Sequence, residues 1–419
     1  MQKKSKKRII WIVTLFLVLI ISINLINKID LLATKEYLKR ELDPKPFAIL
    51  QVFGDIERSS KKLNNDYNVK FLPETQFVDL NFKKIKLKDY FANSDTAGYA
   101  NHLKIKVRQV FYIDSYLDNI VFLTSNGKMF FNKFDSIVSN KKLEPINTNL
   151  NLTTGLDLLI DENKIYISGV VVKDKCAYLK VLKAEFSDIK NLNFNTIFDS
   201  NECVTMIQSG RLGISKDNSL FLTTAADVLI NKNEMDDKPQ SNKSIYGKIL
   251  KINLDTNDYE IFSKGHRNIL GLYIDESTIL ATENGPRGGD EINKIILGEN
   301  YGWPNVSYGQ KYVGDEYYPN SHSELGFKEP IYAFIPSVGI SQITKVGDNF
   351  SEKWKDNFLV ASLNGNHIYR VKFDKNFEKV FFIEGIFIGE RMRDLIYMKE
   401  KNLFLIALEN SGSLGILKP

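Results

Sequence analysis

The chain has 419 residues, 43% of them hydrophobic, and a formal net charge of +5. That length and apolar content suffice for one large core or two ordinary ones, and 11 prolines without a low-complexity tract argue against a long disordered part. The charge excess lies in Met1–Arg8, which holds five basic residues and no acidic one. The remainder is near neutral with no dominant basic patch, which argues against nucleic acid as a partner.

In chain order, Ile9–Ile26 comes next: eighteen residues without a charge, rich in Ile, Leu and Val. That is long enough to cross a bilayer as a helix, and the basic flank belongs on the cytoplasmic side. A cleaved signal peptide would have a shorter apolar run ending in small residues. Here the nearest small residue is Ala33, between Leu32 and Thr34. The reading is therefore a cytoplasmic stub at 1–8, an uncleaved single-pass anchor in the cytoplasmic membrane at 9–26, and everything beyond it outside the cytoplasm, as in a periplasm. Asp30–Arg40 is a charged, Leu-spaced stalk that Pro44 and Pro46 end. Ala48–Leu63 fits helix or strand, and the partial alternation from Asn68 to Tyr90 favours strands. Residues 27–102 thus form a stalk and a segment without assignment, and 103–419 form the main domain.

From Val107 onward one pattern recurs: an apolar strand, a polar turn, and a second apolar strand ending in Thr, Ser or Ala. It spans Gln109–Ser125, Gly155–Gly169, Gly210–Thr224, Gly271–Thr282, Ile340–Ser362 and Met392–Leu408. Six such hairpins point to an all-β, six-bladed propeller, in which radial repetition leaves only short edges. Stretches such as Tyr246–Leu254 and His367–Asp374 supply outer strands. Cys176 and Cys203 fall in this domain, where either a bridge or two buried thiols fits.

The densest punctuation is in Gly265–Gly309, where a β segment runs into the glycine-broken turn Asn284–Gly289 and then the pair Asp290 and Glu291. Such a turn bares backbone carbonyls, and a hard cation such as calcium takes oxygen ligands of this kind. An ordinary solvated loop is the alternative. Asn300-Tyr301-Gly302-Trp303-Pro304 makes a second tight bend.

This run closely resembles the signature of the PQQ-dependent soluble glucose dehydrogenases and aldose sugar dehydrogenases, the glucose/sorbosone dehydrogenase family. The shared pattern is GHRN, GL, E-x-GP-x-x-x-DE-x-N and G-x-NYGWP, with thinner similarity from about Thr153 to the C-terminus. The resemblance implies a six-bladed propeller that binds PQQ and calcium across its central mouth and oxidises a sugar there. Carried over by position, the carbonyls of Gly285 and Pro286 match those of a cofactor-bridging calcium. Glu291 and Tyr301 match ligands of a second, structural calcium. Arg391 and Arg393 match the Arg-x-Arg pair that meets the PQQ carboxylates, a pairing that suits guanidinium forks on one strand face.

The departures fall on positions that do chemistry. Oxidising an anomeric carbon requires a base for the hydroxyl proton, and histidine suits that role. The family's histidine precedes the arginine of its motif by four residues; here Ile207 stands there, ahead of Arg211. Thr153 replaces a glutamine, Asn364 a lysine, and Ala225-Ala226 a Gly-Asp pair. Of the four histidines, His266 reads as structural, His322 as a solvent-facing loop residue, and His102 and His367 carry no motif. Two functions follow. One is a membrane-anchored, PQQ- and calcium-dependent sugar oxidoreductase with a different base. The other is a pseudoenzyme, a propeller binding a glycan, small metabolite or protein.

Overall fold

The computed structural model describes residues 78–87, 108–226, 237–311 and 316–419. The anchor at 9–26 and most of the segment 27–102 lie outside them, as does His102. Among the described residues no helix is long and apolar enough to cross a membrane.

The six hairpins become the two inner strands of six antiparallel blades. Blade 1 is Phe111–Tyr116, Asn119–Thr124, Met129–Lys133 and Glu144–Pro145. Blade 2 is Thr154–Asp161, Lys164–Lys173, Cys176–Glu185 and Asn195–Asp199. Blade 3 is Leu212–Ser215, Ser219–Ala226, Lys248–Asn253 and Tyr259–Lys264, with Ile207–Ser209 added beside Ser219–Ala226. Blade 4 is Ile269–Ile274, Ile279–Glu283, Asp290–Lys294 and Tyr332–Phe334. Blade 5 is Ile340–Lys345, Asn357–Ser362, His367–Phe373 and Val380–Phe387. Blade 6 is Met392–Met398, Leu403–Leu408 and Ser413–Lys418, and its fourth strand, Asn81–Lys86, comes from the segment that the sequence leaves unassigned. That strand pairs antiparallel with the C-terminal one, Asn81 opposite Lys418 and Lys86 opposite Ser413. Lys84 forms an ion pair with Glu390 across the closure. Closing the ring with an early strand satisfies what would otherwise be an open edge.

The core is laid down between blades rather than at one centre. One apolar cluster joins blades 2 and 3 (Leu179, Val181, Leu220, Leu222), another joins 6 and 1 (Ile120, Phe122, Leu405, Ile416), and the other four junctions repeat the arrangement. Two strand faces per blade are therefore buried, which explains why the inner strands read as unbroken apolar runs.

Polar ties cross the same junctions near the axis. Asp114 accepts from Ile160 N at 2.6 Å, Asp157 from Leu212 N at 2.8 Å, Asp394 from Ile113 N at 3.0 Å and Gln342 from Leu272 N at 3.1 Å. Each of these acceptors takes up a main-chain N–H of the neighbouring blade. Cys176 and Cys203 form a disulfide, fastening blade 2 to the loop that leads into Ile207.

Candidate functional site

Two ionic clusters lie at the ends of the innermost strands. The first is a hub around Arg211. Its Nη1 lies 2.8 Å from both Asp157 Oδ1 and Asp394 Oδ1, Nη2 donates to Arg393 O at 2.6 Å and Nε to Leu270 O at 2.7 Å. The guanidinium also sits over the Tyr112 ring at 5.1 Å. One side chain thus joins residues of blades 1, 2, 4 and 6 to the start of blade 3. Burial opposes its charge, but Asp157 and Asp394 outweigh that and hold Arg211 cationic. Burial pushes the Asp157 carboxyl up to about 7 against the pull of Arg211, and it pushes Asp114 up to about 7 as well.

The second cluster is at the mouth of blade 6. Arg391 Nε lies 3.0 Å from Glu409 Oε2, Arg393 Nε bonds Glu409 Oε1, and Arg391 Nη1 donates to Asn364. The Arg-x-Arg pair thus straddles one buried carboxylate. Burial alone would raise Glu409, but Arg393 and Arg391 overcome it and hold the group at about 2.

A chain of hydrogen bonds leads from here to the Asn284–Gly289 turn. Asn364 N donates to Val338 O at 3.0 Å, Val338 N to Asp290 Oδ2 at 2.9 Å, and Gly285 N to Asp290 Oδ1 at 3.1 Å. Asp290 also accepts from Gly339 and Ile340, so it ties the turn to the blade 4–5 connection. Beside the turn is a small cavity whose lining includes Arg267, Glu283, Gly285, Glu291, Tyr301 and Trp303. Gly285, Glu291 and Tyr301 therefore meet at one place. Pro286 is outside that lining and packs towards Gly309.

The detail bears on cation binding. Arg267 Nη1 donates to Asn284 O at 2.6 Å and to Gly285 O at 2.9 Å. The carbonyl matched to a calcium thus already serves a guanidinium, and as arranged this turn does not fit a divalent ion. The Tyr301 hydroxyl donates to Lys294 O at 2.6 Å and accepts from Ile296 N at 3.0 Å, so it is spent on main chain. Glu291 stands opposite Glu283 across a strand pair. Burial and then the Glu283 charge push its carboxyl well up. Among the described residues, no group of three or more His, Cys, Asp or Glu is arranged to hold a metal ion.

The position matched to the family's base is apolar in its surroundings as well as its identity. Ile207 is 7% exposed and belongs to the blade 2–3 cluster with Leu156, Val204 and Leu212. His266 is buried, 3.0 Å from Glu283 and 2.8 Å from Ser263, and stacks on Tyr301, in keeping with a structural role. His322 corrects the expectation of a solvent-facing residue. It is 1% exposed, 3.6 Å from both Glu291 and Glu329 and stacked on Tyr308, because its loop folds back over blade 4. His367 bonds the Gly365 carbonyl.

A model of the family described as "Glucose / Sorbosone dehydrogenase" matches residues 158–416. The chain belongs to that family. Over 190 residues it is 32% identical to the uncharacterized protein slr1608 of Synechocystis, covering 42% of this chain and 46% of that one. Over 166 residues it is 29% identical to the aldose sugar dehydrogenase YliI of Escherichia coli, covering 38% and 44%. The chain thus spans less than half the length of these curated relatives. The PQQ-bound form of an aldose sugar dehydrogenase from Streptomyces coelicolor shares the fold, with a TM-score of 0.57 and 16% identity over 81% of this chain and 98% of that one.

Sequence reasoning passed over two contributors. Arg267 and Asn268 belong to the retained GHRN run but received no role. Arg267 reaches the turn carbonyls, and the Asn268 side-chain oxygen is buried without a hydrogen-bond partner. Their place two and three residues after Gly265 was the available signal.

Proposed function

We propose that this propeller binds a small carboxylate-bearing ligand at its mouth, PQQ being the group its relatives use, and that it lacks histidine-based sugar oxidation. Ile207 carries the reading: an aliphatic side chain buried in the apolar blade 2–3 cluster cannot accept a proton. Arg391 and Arg393, aimed by Glu409, would receive the ligand's carboxylates. Bound PQQ would supply the redox chemistry, and the protein would bind and orient it. Loss of a positioned base costs roughly 10²–10⁴-fold in rate. The segment 9–26 would anchor the chain, with the propeller outside the cytoplasm. The Cys176–Cys203 bridge supports that side of the membrane, because disulfides persist in oxidising compartments.

A second reading, an oxidoreductase with a carboxylate base, is favoured by Glu283 and Glu291 in the cavity beside the turn. One titration separates the two. Purified full-length protein is titrated with PQQ by absorbance, with and without calcium, then given an aldose panel and an electron-accepting dye. Saturable binding without dye reduction, and dye reduction appearing in Ile207→His, is the expected result. Turnover by the unmodified chain would favour the carboxylate base, and no binding at all would overturn the PQQ reading.

A further inference from the structure

The Asn284–Gly289 turn is braced on every side. Asn284 N donates to Asn268 O at 2.9 Å, the Asn284 amide donates to Ile340 O, and a Cβ at Gly285 would strike the Gly289 carbonyl. So fixed, the turn directs the Asn284 and Gly285 carbonyls at Arg267, whose guanidinium also lies 5.3 Å from the Trp303 ring centroid. The Arg267 main-chain N–H is in turn held by Glu283. Arg267 takes one lone pair of each carbonyl, and a divalent ion on the same oxygens would sit against a like charge.

The same device recurs in the preceding loop. Lys248, fully buried, donates from Nζ to Lys238 O at 2.7 Å, Pro239 O at 3.0 Å and Tyr246 O at 2.9 Å. That loop supports the Arg267 segment directly, through Gly265 N to Pro239 O at 3.0 Å and His266 N to Gly247 O at 3.1 Å. Converging carbonyls at this rim are therefore met twice by cations of the chain itself.

We infer that Arg267 is the resident cation of the Asn284–Gly289 turn, and that Arg267 and a divalent ion exclude one another at the Asn284 and Gly285 carbonyls. This inference stands whether or not the mouth binds PQQ.

Terbium, a luminescent calcium substitute, tests it on the purified full chain without PQQ, with Trp303 as the nearby sensitiser. Arg267→Ala is expected to bind terbium about tenfold or more tightly than the unmodified protein, with calcium displacing it. Arg267→Lys, which keeps a cation, should stay close to the unmodified protein. Should Arg267→Ala not fold, Arg267→Gln replaces it and should still gain sensitised signal. Adding Glu291→Gln should leave the gain in place, and Trp303→Phe should abolish the luminescence. Equal terbium affinity with and without Arg267, or a gain that vanishes with Glu291→Gln, would overturn the inference.

Discussion

The hub at Arg211 and the mouth at Arg391 and Arg393 use the same chemistry in opposite proportion. In the hub one guanidinium serves two carboxylates, Asp157 and Asp394, and two carbonyls besides. At the mouth two guanidinium groups serve one carboxylate, Glu409. The hub is closed on itself and joins blades, whereas the mouth sets two guanidinium groups around one carboxylate and so carries an excess of positive charge. Buried ionic groups in one propeller thus differ in the ratio of their charges, with carboxylates in excess at the hub and guanidinium groups in excess around Glu409.

The largest effect that would break this contrast is on stability. Arg211→Met leaves Asp157 and Asp394 buried without their cation and should cost roughly 3–5 kcal/mol, read as a lower urea midpoint. Arg393→Met should cost only about 1–2 kcal/mol, because Glu409 keeps Arg391. Equal losses would mean that the mouth is as structural as the hub.

Acidity sharpens the contrast, because the two clusters should respond with opposite sign. Asp114, facing Asp157 and Asp394, keeps its proton in the folded state to about pH 7, against an ordinary value of 3.8. The folded protein therefore binds more protons than the unfolded chain between about pH 4 and 7, and stability falls as pH rises through that window. Asp114→Asn should abolish that part of the slope, gaining up to about 4 kcal/mol over the unmodified protein at pH 8 and nothing near pH 4. Glu409, held at about 2, adds stability above its ordinary 4.5 that is lost as pH falls towards 2. Glu409→Gln should erase that acid-side loss. Thermal melts across pH read both. The smallest change is Arg393→Lys, which keeps the charge but loses the fork. It should shift stability by less than about 1 kcal/mol while weakening any carboxylate ligand.

The ring was legible because the inner two strands of each blade are buried on both faces, and burial writes itself as apolar runs. The closing strand Asn81–Lys86 falls where alternation from Asn68 to Tyr90 favours strands, but its place in blade 6 was not legible, since NFKKIK has one buried side chain, Ile85, and is placed by hydrogen bonds to Ser413–Lys418. The inter-blade ties left a trace that went unread. Asp114, Asp157, Gln342 and Asp394 each interrupt an otherwise apolar first strand at a similar point. Arg391, Arg393 and Gly285 could be singled out from motif alone, but nothing in those motifs pairs them with Glu409 and Arg267, sixteen to eighteen residues away. Which cation a carbonyl faces depends on such long-range approach, and local spacing carries no record of it.

The closing strand also has a consequence for how the protein is made. Asn81–Lys86 leaves the ribosome before any of the six hairpins, yet its partner Ser413–Lys418 follows only after all of them. Five blades can assemble as they emerge, while the sixth waits on Ser413–Lys418. Until then the nascent chain presents an unpaired early strand and an unfinished sheet, and pairing across nearly the whole domain is slow. Ring closure is therefore a natural checkpoint: a chain that stops short of Ser413–Lys418 would forfeit the seal that Asn81–Lys86 forms.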